Sequence, residues 1–596
     1  MSIFNSVQIP KVPRSRFNMS HYNNMSADYG RLYPFLFIDC VPNDTFKLGA
    51  DVLINTAPMI TAPYTQNDVR LDYFFVPYRL LWDNWKDFIT GGEDGTSEPV
   101  MPYVTTHLWD DFFSESYTQK CLLSYLGVKC FEDDGAPVIS NEPLTSLPLR
   151  AYALIWNEWY RDQNLQDEID ILNTDDGNDT DFLQNLAGSA DDYGFLHRGW
   201  RKDYFTSALP SPQRGVEVPI NFDTSFKIPV EIMSPAVAKG WSKLTTGLRA
   251  KMGDDLVAPD EWAPTGSNDI VVGNGSGPYL RINADGELKQ VSQTEVSGGG
   301  LHVISLNDVY DVYAPLGEWL SNLMNDNPNA MYVDSQNLPA ITINDLRRAN
   351  AIQVWLERNM RAGARYVEQI LSHFGVRVPD YRLDRPEYIG GETFPVQISQ
   401  IFQNSESTQD SAIGSYGGKG KASVSARVRK YRVEEHGCII GLMSILPKAV
   451  YANGINHYFT QHSKFDFYFP EFANLGEQEI KAKEVAVTGD MVNENGVVTN
   501  DVFGYTPRYA HMKFIPNQVN GDFIKIGMRH FTQYREFGNQ PTLSSEFIQV
   551  NPDSDGINRI WAVEDGSQAD HFWCTIFNQV HAKRPMPKYG TPKLIG

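Results

Sequence analysis

Apolar and polar positions alternate over residues 45–55, TFKLGADVLIN, which puts Phe46, Leu48, Ala50, Val52 and Ile54 on one face and predicts a half-buried strand. Val69, Leu71, Tyr73 and Phe75 repeat the pattern and predict a second. Strand signals return late in the chain, at 394–403, 424–433, 438–446, 464–469, 510–515, 559–563 and 572–580. Between these groups the period lengthens. Leu81, Trp85 and Phe88 predict a helix over 79–89, AYALIWNEWYRDQ predicts another over 151–163, and both are expected to cap sheets. The longest helical signal starts at Thr342, which with Asp345 fits a capping box, and runs through Leu346, Ala349, Ile352, Leu356, Met360, Val367, Ile370 and Phe374. Gly363 weakens its middle and Gly375 suits a left-handed cap. Pro379 and Pro386 prevent continuation, so an extended arm over 380–391 follows.

Strands near both ends, separated by long insertions, predict an antiparallel β-sandwich or barrel assembled from distant segments. Five segments are expected: a basic N-terminal arm over 1–30, a first group of strands with helical and acidic insertions over 31–215, and an exposed insertion over 216–330. The long helix, its arm and the remaining strands fill 331–570, and a last strand with a basic tail fills 571–596. The insertion is marked by turn signals such as GNGSGP, NADGE and SGGG. The stretch 404–423, NSESTQDSAIGSYGGKGKAS, reads as a polar loop.

Composition narrows the class. Charged residues make up 21% and aromatics 12% of 596 residues, with 35 prolines and 46 glycines scattered, as in a turn-rich globular protein. The five cysteines, Cys40, Cys121, Cys130, Cys438 and Cys574, contain no CxxC pair and are expected to be buried thiols. The N-terminus lacks a signal-peptide apolar region and no apolar run reaches bilayer length, which predicts a cytoplasmic product without membrane insertion. The net charge of −22 opposes free nucleic-acid binding, but it is segregated. Residues 1–27 and 571–596 contain no acid, whereas 162–192 is strongly acidic.

No motif carries chemistry. Gly273–Pro278 ends in proline where a dinucleotide loop needs glycine, and 417–422, GGKGKA, lacks Walker spacing and reads as a surface loop. There is no HExxH and no G-x-S-x-G. Asp175, Asp176, Asn178, Asp179 and Asp181 offer hard oxygens but not the EF-hand order, so a solvated acidic loop is expected. No catalytic, cofactor-binding or metal-binding residue is assigned. A sugar-cleaving β-sandwich enzyme, which needs only two carboxylates, stays open as an alternative, as does a phage tail or spike protein.

Blocks along nearly the whole chain resemble the major capsid protein of microviruses, small icosahedral phages with single-stranded DNA, and most closely the gokushovirus type. They include Pro13-Arg14-Ser15-x-Phe17, Phe74-Phe75-Val76-Pro77-x-Arg79-Leu80-x-Trp82, Ala151-Tyr152-x-Leu154-Ile155-Trp156-Asn157-Glu158-Trp159 and Asp203-Tyr204-Phe205-Thr206-Ser207. Ser372-His373-Phe374-Gly375, Arg385-Pro386-Glu387-Tyr388, Phe472-Ala473-Asn474-Leu475-Gly476-Glu477-Gln478 and Arg584-Pro585-Met586-Pro587-x-Tyr589 continue them. The resemblance implies an all-β fold with helical insertions, an eight-stranded antiparallel viral jelly roll with long inter-strand loops. It implies a structural protein, not an enzyme, that self-assembles through pentamers into a small T=1 shell around a circular single-stranded DNA genome. The implied location is the virion, assembled in the bacterial cytoplasm. Implied partners are further copies, the genome, a small basic DNA-packaging protein, scaffolding and pilot proteins, and a host surface receptor met by the 216–330 insertion as a threefold protrusion. The basic ends then become candidates for facing the genome: Lys11, Arg14, Arg16, Lys583, Arg584 and Lys588, with Phe17, Tyr22 and Tyr589 as base-stacking aromatics.

Overall fold

A computed structural model describes residues 13–105, 109, 111–113, 120–129, 142–215, 343–402, 416–562 and 570–589, and the strand residues 270–272, 279–282, 288–291 and 303–304. The chain forms two compact units, Met1–Glu217 with Gln353–Gly596, and Val218–Ile352.

The larger unit is built on ten strands: β1 Ser15–Asn18, β2 His21–Ala27, β3 Tyr33–Cys40, β4 Thr45–Thr56, β5 Asn67–Pro77, β6 Glu387–Phe402, β7 Tyr416–Ser425, β8 Arg429–Arg432, β9 Gly437–Pro447 and β10 Phe572–Arg584. All pairings are antiparallel, in the order β1-β10-β4-β7-β6-β5-β9-β3, with β8 also on β4 and β2 also on β10. The sheet curls at β6, which pairs with β5 up to Val396 and with β7 from Gln397 onward. At the ends of the curl, the amides of Asn23 on β2 and Asn578 on β10 both donate to the Phe35 carbonyl on β3, at 3.0 and 3.2 Å. The result is a curled half-barrel, the all-β jelly roll with helical insertions that the resemblance implied.

β4 keeps its predicted alternation: Phe46, Leu48, Ala50, Val52 and Ile54 are buried while Lys47 and Leu53 face solvent. β5 does not. Phe74 and Val76 are as buried as Phe75, because Trp159 and Tyr160 pack their rings on Phe74 at 5.6 and 6.0 Å. Those rings come from the 151–163 signal, which is a helix at Leu147–Ile155 running into a π-helical turn at Trp156–Tyr160. Asn157 fixes that turn by exchanging two hydrogen bonds with the Ile169 backbone. The 79–89 signal resolves into a short 3-10 turn, Tyr78–Leu80, and a helix at Trp85–Thr90. Cys40, Cys438 and Cys574 are buried thiols, and Cys130 lies outside the described residues.

Several expectations fail for identifiable reasons. Residues 417–422 are not a surface loop but part of β7, where glycine permits close approach: a Cβ on Gly418 would collide with the Thr61 carbonyl, and one on Gly420 with the Thr56 side chain. Residues 464–469 form no strand, 510–515 contain only the 3-10 turn Ala510–Met512, and Trp561 makes an isolated bridge. The long helix is two, Ile343–Ala362 and Tyr366–Phe374, with Thr342 outside the described residues. Gly363 takes a φ of +104° at the break, and the Gln163 side chain accepts from the next backbone N–H groups. Gly375 is the left-handed cap at φ +69°. The acidic run is anchored rather than merely solvated: Asp179 is buried against Arg150, and Asp176 accepts from the Trp82 indole at 2.6 Å. In the smaller unit Ile270–Val272, Tyr279–Ile282 and Leu288–Val291 pair antiparallel, and Val303–Ile304 runs parallel to the first.

Candidate functional site

The basic N- and C-terminal segments meet. β1 and β2 both lie along β10, so the N-terminal arm from Ser15 onward is sheet, and register sorts its side chains into inward and outward sets. Two successive rungs on the outward face are cationic. The first places Arg16 opposite Lys583, with Lys583 opposite Thr45 and Thr45 opposite Arg432; the second places His581 opposite Lys47 and Lys47 opposite Lys430. Arg16, Lys47, Lys430, Arg432, His581 and Lys583 are exposed, and none forms an ion pair among the described residues. Like charges directly opposite across antiparallel strands repel, so this face is held against its own electrostatics and favours an anion in front of it.

Farther along the same face aromatics stand beside the Asp51 carboxylate, which lies opposite Phe577. Tyr22, 71% exposed, packs on Phe577 with centroids 4.7 Å apart, and Leu53 and Trp573 are exposed on the rungs beyond. Lys419 and Lys421 of β7 continue the face. A cationic track beside aromatic platforms is the arrangement that holds flexible single strands, phosphates on the cations and bases on the rings.

The expected residues divide. Arg16, Lys583 and Tyr22 stand on this face, and Lys588 lies near the exposed Tyr589 ring at 5.7 Å. Arg14 and Arg584 are spent internally: Arg14 donates to the Thr45 hydroxyl at 2.6 Å, while Arg584 is held by the buried Asp44 carboxylate at 3.0 Å and donates to the Asp39 carbonyl. Phe17 packs against the core and is no stacking platform. Lys11 lies outside the described residues. Lys47, Lys430, Arg432 and His581 were missed. The alternation in TFKLG already put Lys47 on the polar side, but its pairing with Lys430 spans most of the chain.

A second surface is apolar. Phe465, Phe467 and Phe469 are 53%, 53% and 44% exposed, and Phe459, Leu475, Phe514 and Ile515 are more so. The two loops that carry them are joined by Tyr468 on Tyr509, 5.0 Å apart, and by His457 stacked on His511 at 4.0 Å. Beneath them, His457 bonds the buried Glu484 at 3.1 Å. Within this unit the predicted apolar face of the long helix is partly covered, with Met360 buried, Leu356, Val367 and Ile370 half-buried and Phe374 exposed, while Trp355, Tyr366 and Leu371 beside it also face solvent.

Burial, with the nearby charge of His457, pushes the His511 imidazole down to about 4. A histidine depressed in the fold takes its proton more readily in the unfolded chain, so stability is lost as pH falls from 6.5 towards 4 and is level above that window. Because the ring is only half buried, the loss is on the order of 1.5 kcal/mol. His511→Phe keeps the stack and is expected to flatten melting temperature against pH over that window; superimposable curves for the two proteins would refute the assignment.

Residues 5–594 match the family model described as capsid protein (F protein). The chain is 33% identical to the capsid protein VP1 of Chlamydia phage 1, over 99% of this chain and 97% of that protein. It is 30% identical to the capsid protein VP1 of Bdellovibrio phage phiMH2K, over 99% and 97%, and 26% identical to that of Spiroplasma virus 4, over 98% and 96%.

Proposed function

This chain belongs to the capsid protein (F protein) family, as a gokushovirus-like major capsid protein of a single-stranded DNA microvirus, and we propose that its cationic outward face lines the genome side of the shell. The observation that carries this is the pair of rungs in which Arg16 opposes Lys583 and Lys47 opposes Lys430 without acidic partners. The candidate set is thereby revised. Arg16, Lys583 and Lys588 stay, Lys47, Lys430 and Arg432 join, and Arg14 and Arg584 become the clasp that holds β1 and β10 to the barrel. Tyr22, Phe577 and Trp573 are the stacking surface.

Copies associate through pentamers into a small T=1 shell assembled in the host cytoplasm. Physically the work is burial, since obligate interfaces of roughly 2,000–5,000 Å2 and closed symmetry cover exposed apolar surface. With a net charge of −22 per copy, six cations cannot neutralise a genome, so a small basic packaging protein supplies most counter-charge. Scaffolding and pilot proteins complete the particle, and the 216–330 insertion meets the host receptor. The family is one of capsid subunits, so the tail-protein and sugar-cleaving alternatives give way.

Neutralising Arg16, Lys47, Lys430 and Lys583 together to glutamine tests the reading. Each phosphate contact with a single strand contributes about 0.7 to the slope of log affinity against log salt, so four lost contacts are expected to lower it by about 3. Titration of a fluorescent oligothymidylate at several salt concentrations reads this directly. An unchanged slope on a folded variant would place the genome elsewhere.

A further inference from the structure

Apart from the cationic face, a cleft of about 420 Å3 opens where the π-helical turn meets the outward side of β5, Tyr388 of β6 and residues 198–202. Five cationic side chains line it, Arg70, Arg161, Arg198, Arg201 and Lys202, against two carboxylates, Asp72 and Asp162. Both carboxylates are committed. The buried Asp72 accepts from Arg70 at 2.8 Å and from the hydroxyls of Tyr160 and Tyr388 at 3.0 and 2.9 Å. Asp162 accepts from Lys202 at 2.6 Å and from the Asn164 backbone at 3.0 Å.

That leaves three guanidinium groups under-used. Among the described residues Arg198 makes one side-chain hydrogen bond, from Nη1 to the Ser444 hydroxyl at 2.8 Å, lies over the Tyr160 ring, and forms no ion pair. Arg161 spends its terminal nitrogens on the Gln166 carbonyl and the exposed Glu168, while its buried Nε has no acceptor among the described residues. Arg201 stands 77% exposed, 3.7 Å from Asp68. Burial pushes the Arg198 guanidinium down from its ordinary value, with Arg70 adding repulsion; burial does the same to Arg161, with Arg365 repelling it. Arg198 is a cation held out of water without a counter-ion among the described residues, and Arg161 shares only the exposed Glu168, an arrangement that is costly unless an anion completes the site.

We propose that this cleft binds a phosphate group, as a free anion or an ester, through Arg161, Arg198 and Arg201. A carboxylate is satisfied by one planar fork, whereas a tetrahedral phosphate accepts from several directions at once, which matches guanidinium groups converging from the π-helical turn and the 198–202 segment. The cleft uses none of the residues of the outward cationic face. Phosphate binding here can therefore be tested separately from DNA binding at that face.

Calorimetric titration of the purified full chain with inorganic phosphate, and separately with a short oligothymidylate, tests this. Inorganic phosphate is expected to bind, with affinity lowered about tenfold by Arg198→Gln, the effect of losing one charge-assisted contact, and about threefold by the solvent-exposed Arg201→Gln. Arg201→Gln decides the matter alone if Arg198→Gln does not fold. An oligonucleotide that competes with phosphate and weakens in the same variants identifies the DNA backbone as the source. One that binds without competing identifies a small phosphate instead. Absence of phosphate binding to the folded chain, binding unaltered by the variants, or binding lost instead on neutralising Lys47 and Lys583 would overturn the proposal.

Discussion

Arg150→Met is expected to destabilise the subunit by about 3–5 kcal/mol, because it strands a buried carboxylate rather than because it removes an attraction. Arg150 is fully buried on the helix Leu147–Ile155, and its guanidinium grips Asp179 with both arms, Nε to Oδ2 at 2.8 Å and Nη2 to Oδ1 at 2.6 Å. Nη1 donates to the Leu81 carbonyl at 2.9 Å, so one side chain ties the helix, the acidic segment and the turn after β5 together. Methionine fills a similar volume but leaves Asp179 charged in an apolar surround and the Leu81 carbonyl without its donor. The double variant Arg150→Met with Asp179→Leu removes both charges and is expected to recover most of the loss, as apolar replacement of buried ion pairs does. Urea denaturation of the three proteins measures this. A single variant within about 1 kcal/mol of the parent would show that water reaches the pair.

Asp179 also shows where reading a sequence stops. It was one acid in a run of ten, and nothing local distinguishes it from its solvated neighbours, since its partner lies 29 residues away on an amphipathic helix. β4 was legible because period-two alternation follows from local geometry alone. The both-sided burial of β5 was not, because the rings that cover it come from a π-helical turn in another segment. Gly418 and Gly420 looked like loop glycines for the same reason: what forbids their side chains comes from distant segments, the Thr61 carbonyl for one and the Thr56 side chain for the other. The basic termini were legible as charge. Their sorting into Arg584 as clasp and Lys583 as outward cation depends on the register of β10 against β4, which pairs residues from opposite ends of the chain.

The failed strand at 464–469 leads to the other large effect. KFDFYF alternates as a strand does, yet it has no ladder partner, and Phe465, Phe467 and Phe469 point into solvent, with Phe459 67% and Phe514 62% exposed beside them. Alternation records that one side is kept apolar and is silent on whether this chain or another covers it. We expect the cover to be another copy, because a capsid subunit assembles into a shell. Replacing Phe459, Phe467 and Phe514 by serine removes three aromatic anchors worth about 1.5–3 kcal/mol each when buried, or roughly 5–9 kcal/mol per interface. Because all three are exposed in the single subunit, its circular dichroism and melting temperature are expected to stay unchanged while closed particles fall by more than a hundredfold. Electron microscopy and sedimentation of the expressed protein give the count. Particles at the parent yield would mean this belt faces solvent in the shell, and the exposed helix face around Trp355 and Phe374 would then be the next surface to test for the contact between copies.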